Sequence, residues 1–544
     1  MLVYGDHAER IDPRARLTEV AADLASDNLT HDCLTRAFLD LAGVVQGIAD
    51  ADFARAGQDR PRAVEQLLLQ QLTYLAAQLL TSWQSRDPVN RPVQLQVPED
   101  LPEEVEIKLP EGYAFYALRP EAYGLAALHV RLTAPPRVIG LRSIGSGLAC
   151  MAAAALGAPP PFTVRPSGDP FARELRLSHE YAAALLDGDA HYIIVDEGPG
   201  MSGSSFGAVA DWLEDRGVAS DRIAFLPGHS NPLGHQASER HRQRWCRAQR
   251  PVVELDQPRW EPVQQLTGAI NRTADLSGGA WRPLWSAAES DWPAIDATWE
   301  RRKFLIRTDT GEWLVKFAGL GRIGDQRLEL ARRLCDAGFG PDIAGLCEGW
   351  LVCRWHRDAR PTRPTLEELT AYLLLRRSLV APQPGADLPM LVTMVRRNLP
   401  GWYDWSPDLT RLEPRPVCTD NRMDAHEWLR LPSGCLLKAD GVDHHQAHDL
   451  IGCQDIAWDV AGAILELDLG PLDSEQLRAA LDVAPPLLAF TLVAYAAFRI
   501  GAHRLSASTL AHWPEEQRRN LAAAERMEQR LAAIDAVQHA GHVD

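Results

Sequence analysis

The residues with the clearest chemical potential lie in one stretch, YIIVDEGPGMSGSSF, at positions 192–206. Four apolar residues, typical of a buried strand, end in two adjacent acids, Asp196 and Glu197, and a loop rich in glycine and serine follows. Apolar spacing from Phe206 to Leu213 then predicts a helix, so the loop lies at a helix N-terminus. Backbone N–H groups and serine hydroxyls at such a position bind anions. The sequence therefore predicts a phosphate site beside two carboxylates.

Three phosphate-binding patterns compete for this loop. A P-loop needs a lysine that meets the β- and γ-phosphates, and this loop has none. A dinucleotide fingerprint matches at Gly198, Gly200 and Gly203, yet the next strand leads into Gly228-His229, where that pattern requires an acid. The third pattern places the acids before the loop, where they can bind the hydroxyls of a ribose whose phosphate lies in the loop. This third interpretation fits best, and an NAD-type oxidoreductase stays open beside it.

The stretch resembles the PRPP-binding motif of type I phosphoribosyltransferases over roughly residues 110–250. In that motif a hydrophobic strand, two acids, a short spacer and a Thr/Ser-Gly loop follow one another. Asp196 and Glu197 match the acids, although the spacer before the loop is one residue longer than usual. The resemblance implies that these loop residues bind the substrate phosphate: Met201, Ser202, Gly203, Ser204 and Ser205.

The implied reaction is attack of a nucleophile at C1′ of PRPP, with Mg-pyrophosphate leaving, or its reverse. Asp196 and Glu197 would act as catalytic residues that stabilise the cationic transition state. The turn Arg142-Ser143-Ile-Gly145 resembles the family's pyrophosphate loop. Arg165 and Arg173 lie where the family carries its mobile hood, so both are candidate substrate ligands.

The second half contains a different ordered set. Lys316 lies on the predicted strand EWLVKF, and Glu329 follows on a helix, which resembles the lysine and glutamate pair of the kinase fold. The segments 419–428 and 436–440 fall in the order of a catalytic loop and a metal-binding aspartate. Asp455-Ile-Ala-Trp-Asp-Val-Ala resembles a helix start in aminoglycoside phosphotransferase and choline kinase relatives.

The resemblance assigns a role to each of these residues. Lys316 and Glu329 would bind ATP, and Asp420 would orient the acceptor hydroxyl as a catalytic residue. Mg²⁺ would be held by Asp440, helped by His426 or Asn421.

Three departures from the pattern stand against these roles. A Gly-rich loop does not precede Lys316, Cys418-Thr419 replaces the usual His-Gly, and an asparagine five residues after Asp420 is missing. A degenerate, non-catalytic kinase-like domain therefore stays open.

One further cluster, Asp443-His444-His445-x-x-His448, contains ligand types that suit zinc or manganese. A polar loop close to a kinase-type active site is the preferred interpretation, and the metal site is the alternative.

These sites require elements that position them, and the chain reads as a multidomain α/β protein. Helical spacing dominates residues 1–95, and we predict an N-terminal helical region there. Strands that alternate with helices over 96–275 predict a parallel-sheet phosphoribosyltransferase-like domain with its linker. Two strands, a helix, another strand and a helical lobe over 276–544 predict a kinase-like α+β domain.

Composition limits the partners. The net charge of -17 argues against non-specific binding of nucleic acid or anionic membrane, so small-molecule substrates are the expected partners, with a homodimer possible. The charged first twenty residues do not resemble a signal peptide, which predicts a cytoplasmic protein. The apolar run 485–498 is short for a membrane span, and we predict a buried helix. Nine scattered cysteines do not indicate a zinc module or a disulfide framework.

Three functional hypotheses follow, and the NAD-type oxidoreductase named above is the third. The first is a two-headed enzyme that joins phosphoribosyl transfer to a kinase-like phosphotransferase. The second is a regulator that senses PRPP or a nucleotide while its kinase-like domain only binds.

Overall fold

The computed structural model describes residues 1–200, 202–234 and 236–540, with backbone alone at 446 and 534–540. The chain forms two compact units. The sheet unit comprises residues 8–258 and 319–322, and the C-terminal unit comprises residues 1–7, 259–318 and 323 onward. The predicted boundary near 95 therefore falls inside the sheet unit, and the one near 275 falls inside the C-terminal unit.

The sheet unit contains eight strands and nine helices among its described residues. The strands are β1 (Ala8–Ile11), β2 (Val105–Lys108), β3 (Pro136–Leu141), β4 (Phe162–Val164), β5 (Ser167–Asp169), β6 (Ala172–Glu174), β7 (His191–Val195) and β8 (Ile223–Leu226). The helices are α1 (Pro13–Asp23), α2 (His31–Ala56), α3 (Ala63–Ser85), α4 (Glu111–Phe115), α5 (Pro120–Ala127), α6 (Gly145–Leu156), α7 (His179–Leu186), α8 (Ser204–Glu214) and α9 (Glu239–Arg247).

A four-stranded sheet in the order β4-β3-β7-β8 forms the middle of this unit, and each neighbouring pair is parallel. The parallel pairing agrees with the sheet that the sequence predicts, and the phosphoribosyltransferase-like assignment stays a prediction. Helices α7 and α8 pack with it through Leu185, Phe206 and Leu213. Cys150 and Met151 of α6 belong to a second core that α2 and α3 supply. The N-terminal helices are thus part of the sheet unit and not a separate region.

The strand order places a topological switch point at the carboxyl edge of this sheet, between β3 and β7. From β3 the chain passes through α6 to β4 on one side, whereas from β7 it passes through α8 to β8 on the other. The loops that leave β3 and β7 therefore diverge. Ligands of open α/β sheets bind at such switch points.

The C-terminal unit begins with short elements and ends in a helical lobe. Its strands are β9 (Ile270–Asp275), β10 (Lys303–Thr308), β11 (Gly311–Phe317), β12 (Ile343–Cys347), β13 (Trp350–Arg354), β14 (Arg360–Pro361), β15 (Trp428–Arg430) and β16 (Leu436–Lys438). Its helices are α10 (Trp260–Thr267), α11 (Arg282–Trp285), α12 (Gly321–Asp336), α13 (Leu366–Arg376), α14 (Leu388–Asn398), α15 (Ala457–Glu466), α16 (Pro471–Ala480), α17 (Pro485–Thr509) and α18 (Pro514–Ala540).

A five-stranded antiparallel sheet has the order β12-β13-β11-β10-β9. The pairing of β10, β11 and β13 agrees with the strands predicted for this region. Strand β9 lies in a stretch that the sequence indicated as a linker. The stretch has weak apolar periodicity because β9 is an exposed edge strand.

The first residues of the chain belong to the C-terminal unit. The Leu2 backbone N–H donates to Asn398 Oδ1 at 2.7 Å, and Asn398 Nδ2 donates to the Leu2 carbonyl at 2.9 Å. The Leu450 N–H donates to the carbonyl of Val3, whose side chain is buried. This segment is therefore an integral strap of the helical lobe.

Helix α17 is, among the described residues, the one helix long and apolar enough to cross a membrane by length and composition. Two-thirds of its most apolar window is buried within the protein, as expected for a core helix. Its buried residues pack with α14 and α15 in the core of the helical lobe.

Candidate functional site

Two adjacent carboxylates, Asp196 and Glu197, lie at the carboxyl end of β7, at the switch point of the parallel sheet. The Tyr123 hydroxyl lies 3.0 Å from the Asp196 carbonyl and 3.2 Å from the Glu197 carbonyl, and it donates to them. The Glu197 backbone N–H donates to Asp196 Oδ1 at 2.8 Å. These bonds fix the turn that carries both acids.

Burial sets the charge state of this pair. It raises the pKa of Asp196 to about 7. Burial, together with the charges of Glu111 and Asp196, raises the pKa of Glu197 to about 8. Near neutral pH each acid can thus exist in either form, and a hydroxyl-bearing or cationic ligand would favour ionisation.

The turn after β3 meets these acids. A Cβ added to Gly145 would lie 2.7 Å from the Val195 carbonyl and 3.4 Å from Asp196 Oδ1, so α6 starts in close contact with the end of β7. The Ser143 carbonyl accepts a bond from Ser146 in the first turn of α6. Gly145 therefore lies beside Asp196 at the end of β7, and the substrate-binding roles of Ser143 and Gly145 stay predictions.

The predicted phosphate loop is covered by a hairpin. Strands β5 and β6 pair antiparallel, and the Pro170 carbonyl in their turn accepts bonds from Ser202 Oγ at 3.2 Å and Ser204 Oγ at 2.7 Å. Gly203 adopts the left-handed conformation, φ 64°, directly before α8, and Ser205 lies half-buried in the first turn. Met201 lies outside the described residues.

The arginines of this region have other partners than the predicted phosphates. Arg142 is buried and pairs with Asp59 and, at 2.9 Å, with Asp50. Arg165 also pairs with Asp50 and donates to the Arg142 carbonyl at 2.7 Å. Arg173, on β6, donates to the Pro166 carbonyl at 3.1 Å within the hairpin.

The predicted ligand roles of Arg142 and Arg165 stay predictions, and both arginines form ion pairs with acids of α2 and the loop after it. Asp50 on α2 and Asp59 after it supply buried negative charge that already neutralises both guanidinium groups.

In the C-terminal unit, Lys316 on β11 forms ion pairs with Asp440 and Asp443. Burial disfavours the ammonium form, but the charges of Asp440 and Asp443 outweigh it and raise the pKa of Lys316. Asp440 is the most open of the three side chains, with 32% exposed. A charged lysine and a partly open carboxylate thus face each other at the end of the antiparallel sheet.

The predicted pairing of Lys316 with Glu329 is wrong. Glu329 pairs with Arg333 one turn further along α12 at 2.6 Å, and 58% of its side chain is exposed. The residue of α12 that faces the site is Arg327, which is buried and lies 3.5 Å from Asp443.

Three side chains bond to the carboxylate of Asp420, whose side chain is fully buried. Tyr372 donates its hydroxyl proton to Oδ2, Lys438 Nζ lies 3.2 Å from Oδ2, and His444 Nδ1 lies 2.8 Å from Oδ1. Burial opposes ionisation, but the charge of Lys438 and the bond to His444 lower the pKa of Asp420 below its usual range. Asp420 is therefore a permanently ionised, immobilised carboxylate.

The loop that carries Asp420 is anchored from α15. Asp459 accepts the backbone N–H of Asp420 at 2.7 Å and that of Asn421 at 2.8 Å. Burial and the charge of Asp420 raise the pKa of Asp459 to about 7. Asn421 has a left-handed backbone, φ 72°, and its side chain donates to the Gly452 carbonyl at 2.6 Å. Asn421 thus stabilises the loop, whereas the sequence predicts that it helps Asp440 to hold Mg²⁺.

The histidine that lies beside Asp440 is His444 and not the predicted His426. His426 stacks on Trp281, with ring centroids 5.8 Å apart, and is not the histidine of the acidic cluster. That position is taken by His444, whose Nε2 lies 3.8 Å from Asp440 and 3.6 Å from Glu427. Ligand atoms of Asp420, Glu427 and His444 lie within 4.8 Å of one another.

Sequence reasoning missed Glu427, Lys438 and Tyr372. Lys438 and Glu427 did lie inside the segments that the kinase resemblance picked out, so their charges were an available signal. Tyr372 lies on α13, outside the segments that resemble kinase motifs, so the sequence did not indicate a role for it.

The comparisons with known proteins found no matching protein family and no matching curated protein. Among solved structures, the choline kinase LicA from Streptococcus pneumoniae is 13% identical, with a TM-score of 0.34 over 50% of this chain and 97% of that one. A choline/ethanolamine kinase family protein from Mesorhizobium loti is 14% identical, with a TM-score of 0.28 over 47% and 97%. A Plasmodium vivax ethanolamine kinase is 8% identical, with a TM-score of 0.29 over 60% and 92%.

Proposed function

We propose that the C-terminal unit is a kinase-like phosphotransferase that binds the phosphates of a nucleoside triphosphate at Lys316. The observation that supports this is the charged Lys316 on β11, paired with Asp440 and Asp443 and close to the immobilised loop of Asp420. Asp440 is open enough to share a Mg²⁺ ion with the nucleotide. Phosphoryl transfer depends chiefly on positioning and electrostatic stabilisation, which such a set provides.

In this proposal Asp420 orients the hydroxyl of a small-molecule acceptor. Its low pKa makes it a weak base, so its contribution is alignment of the attacking oxygen rather than early removal of the proton. Tyr372 and His444 hold the carboxylate in one orientation for that purpose.

The test is calorimetric titration with ATP and Mg²⁺, using the native protein, Lys316→Met and a matched control, Arg307→Met. Arg307 lies on neighbouring β10 with half of its side chain exposed, so its loss should not matter. We expect Lys316→Met to weaken ATP binding by about tenfold or more, since a charged contact to phosphate is lost. Equal ATP affinity of the native protein and Lys316→Met would contradict the proposal.

Non-catalytic nucleotide binding is the alternative, and one observation favours it: three donors already occupy the oxygens of Asp420. ADP release measured with a panel of small hydroxyl compounds separates the two. Transfer that Asp420→Asn abolishes while ATP binding persists supports the enzyme. Binding without any transfer supports the sensor.

For the sheet unit we propose a second function, binding of a ribose 5-phosphate group such as that of PRPP, with transfer at C1′. What supports it is the pair Asp196 and Glu197 at a topological switch point, next to a serine-glycine loop at a helix N-terminus. With the first proposal this gives a two-headed enzyme acting on small molecules.

This second proposal is tested by titration with PRPP and Mg²⁺. The double variant Asp196→Ala, Glu197→Ala should lose binding, and the matched double variant Glu180→Ala, Asp187→Ala, at exposed positions of the same unit, should keep it. Binding of NAD without Mg²⁺, in place of PRPP, would favour the oxidoreductase interpretation.

A further inference from the structure

A buried lysine lies inside the acidic cluster of the C-terminal unit. Lys438, at the end of β16, has a fully buried side chain, and its Nζ forms ion pairs with Glu427 and, at 3.2 Å, with Asp420. These two carboxylates and His444 have the mutual spacing of a set of metal ligands. The ammonium therefore bonds to two of the three groups that a divalent ion would need.

The charge of this lysine is fixed by its surroundings. Two carboxylates, Asp420 and Glu427, form ion pairs with the ammonium, and the side chains of Lys438 and Asp420 are fully buried. A divalent ion bound to the same oxygens would lie a few ångströms from a permanent positive charge. In a buried site that repulsion is screened little by water.

We propose that Lys438 is a built-in cation that replaces a divalent metal ion between Asp420 and Glu427. The donor set consequently does not fit a metal while the ammonium is in place. The divalent ion of the proposed nucleotide complex is left with Asp440, which lies 3.8 Å from His444 Nε2.

The part that Lys438 plays in transfer rests on the proposed function of this unit, whereas its competition with metal does not. In transfer, the ammonium would hold Asp420 in position and supply positive charge near the acceptor. A lysine is covalently retained, so this charge is present at every metal concentration.

The experiment is a titration with Mn²⁺ alone, followed by electron paramagnetic resonance, on the native protein, Lys438→Met and the charge-conserving control Lys438→Arg. We expect Lys438→Met to bind one Mn²⁺ about tenfold or more tightly than the native protein. That added site should show ¹⁴N coupling from His444 and disappear when Glu427→Gln is combined with Lys438→Met. Lys438→Arg should bind like the native protein.

A native protein that binds Mn²⁺ with ¹⁴N coupling, and loses it in Glu427→Gln, would overturn the inference. That spectrum needs only the native chain, so the inference stays testable where Lys438→Met fails to fold. ATP plays no part in the measurement. Failure of the nucleotide proposal would therefore appear separately, as absence of ATP binding to a protein with the expected Mn²⁺ behaviour.

Discussion

At the scale of single residues, the two candidate sites treat their acids in opposite ways. Burial dominates at Asp196 and Glu197, whose pKa values rise to about 7 and about 8. At Asp420 and Asp440 the charges of lysines outweigh burial and lower the pKa values. The first pair is destabilised by ionisation and suits a ligand that relieves it. The second pair is already neutralised within the protein.

The pH dependence of stability follows from the first pair. An acid whose pKa is higher in the folded state binds more protons when folded, so stability falls as pH rises from the unfolded values, near 4, to about 8. We expect Asp196→Asn, Glu197→Gln to gain about 1–2 kcal/mol over the native protein at pH 8.5, after allowance for solvent screening, and almost nothing at pH 4. Urea unfolding at both pH values, read through amide exchange of β7, measures this.

The control for that measurement is Glu180→Gln, at an exposed position of the same unit. If the native protein and the double variant respond identically to pH, the raised pKa values are wrong.

Asp459 gives a prediction about the second site. Its carboxylate accepts two backbone N–H groups, and in Asp459→Asn one oxygen becomes an NH₂ group that faces a donor. We expect a loss of about 1–3 kcal/mol in the free energy of unfolding of the C-terminal unit, from the unsatisfied buried groups. Urea denaturation measures it, and Glu525→Gln on the exposed face of α18 should change it little. If Asp459→Asn leaves the free energy of unfolding unchanged, the loop is held by its other contacts.

The residue types of both sites could be predicted from the sequence, but several partners could not. Glu329 and Arg327 are two positions apart on α12, and helical spacing alone does not tell which of them turns inward. His426 and His444 were both available as ligands, and the choice depends on how distant segments pack. The sequence did not indicate the acidic partners of Arg142, because they lie more than 80 residues earlier in the chain. Arg142 was therefore predicted to be a phosphate ligand.

At the scale of elements, the strand, loop and helix around β7 and α8 were predictable because each signal is local. An apolar run, two acids, a glycine-rich loop and an i, i+3, i+4 pattern follow one another within residues 192–214. The hairpin of β5 and β6 was expected only as a hood with arginines. The packing of the hairpin on the loop depends on hydrogen bonds from serine hydroxyls to a backbone carbonyl. Such bonds cannot be predicted from the sequence.

Those hydroxyl bonds give a prediction about the hairpin. Ser202→Ala, Ser204→Ala removes both donors to the Pro170 carbonyl. Each bond contributes about 1 kcal/mol, so we expect amide exchange in residues 167–174 to quicken by about tenfold or more. Ser220→Ala, which removes an exposed hydroxyl bond to Glu214, is the control and should leave the hairpin unchanged. An unchanged amide exchange rate in the double variant would show that backbone packing alone holds the hairpin on the loop.

At the scale of the whole molecule, each unit has its own buried core. Leu72 on α3 belongs to a core of the sheet unit, and Leu369 on α13 belongs to the core of the helical lobe; both side chains are almost completely buried. Helical spacing over residues 1–95 indicated that α3 has a buried face. It did not indicate the partner of that face, which is why α2 and α3 were assigned to a region of their own.

We expect a cavity in one core to weaken that unit. Leu72→Ala and Leu369→Ala should each cost about 2–5 kcal/mol, from lost apolar contact and the cavity left behind. Peptide-resolved amide exchange in urea should show the loss in the sheet unit for Leu72→Ala and in the C-terminal unit for Leu369→Ala. Equal losses in both units from either variant would mean that the chain unfolds as one cooperative body.

The strap formed by Leu2 and Val3 has a consequence for the order of events during synthesis. Leu2 bonds to Asn398, which lies 396 residues later in the chain. At roughly 5–20 residues per second a ribosome needs about 20–80 seconds to make that stretch. The complete sheet unit as far as 258 has been translated by then, while the strap waits without its partner. The strap can therefore join the helical lobe only after the 396 residues that separate Leu2 from Asn398 have been made.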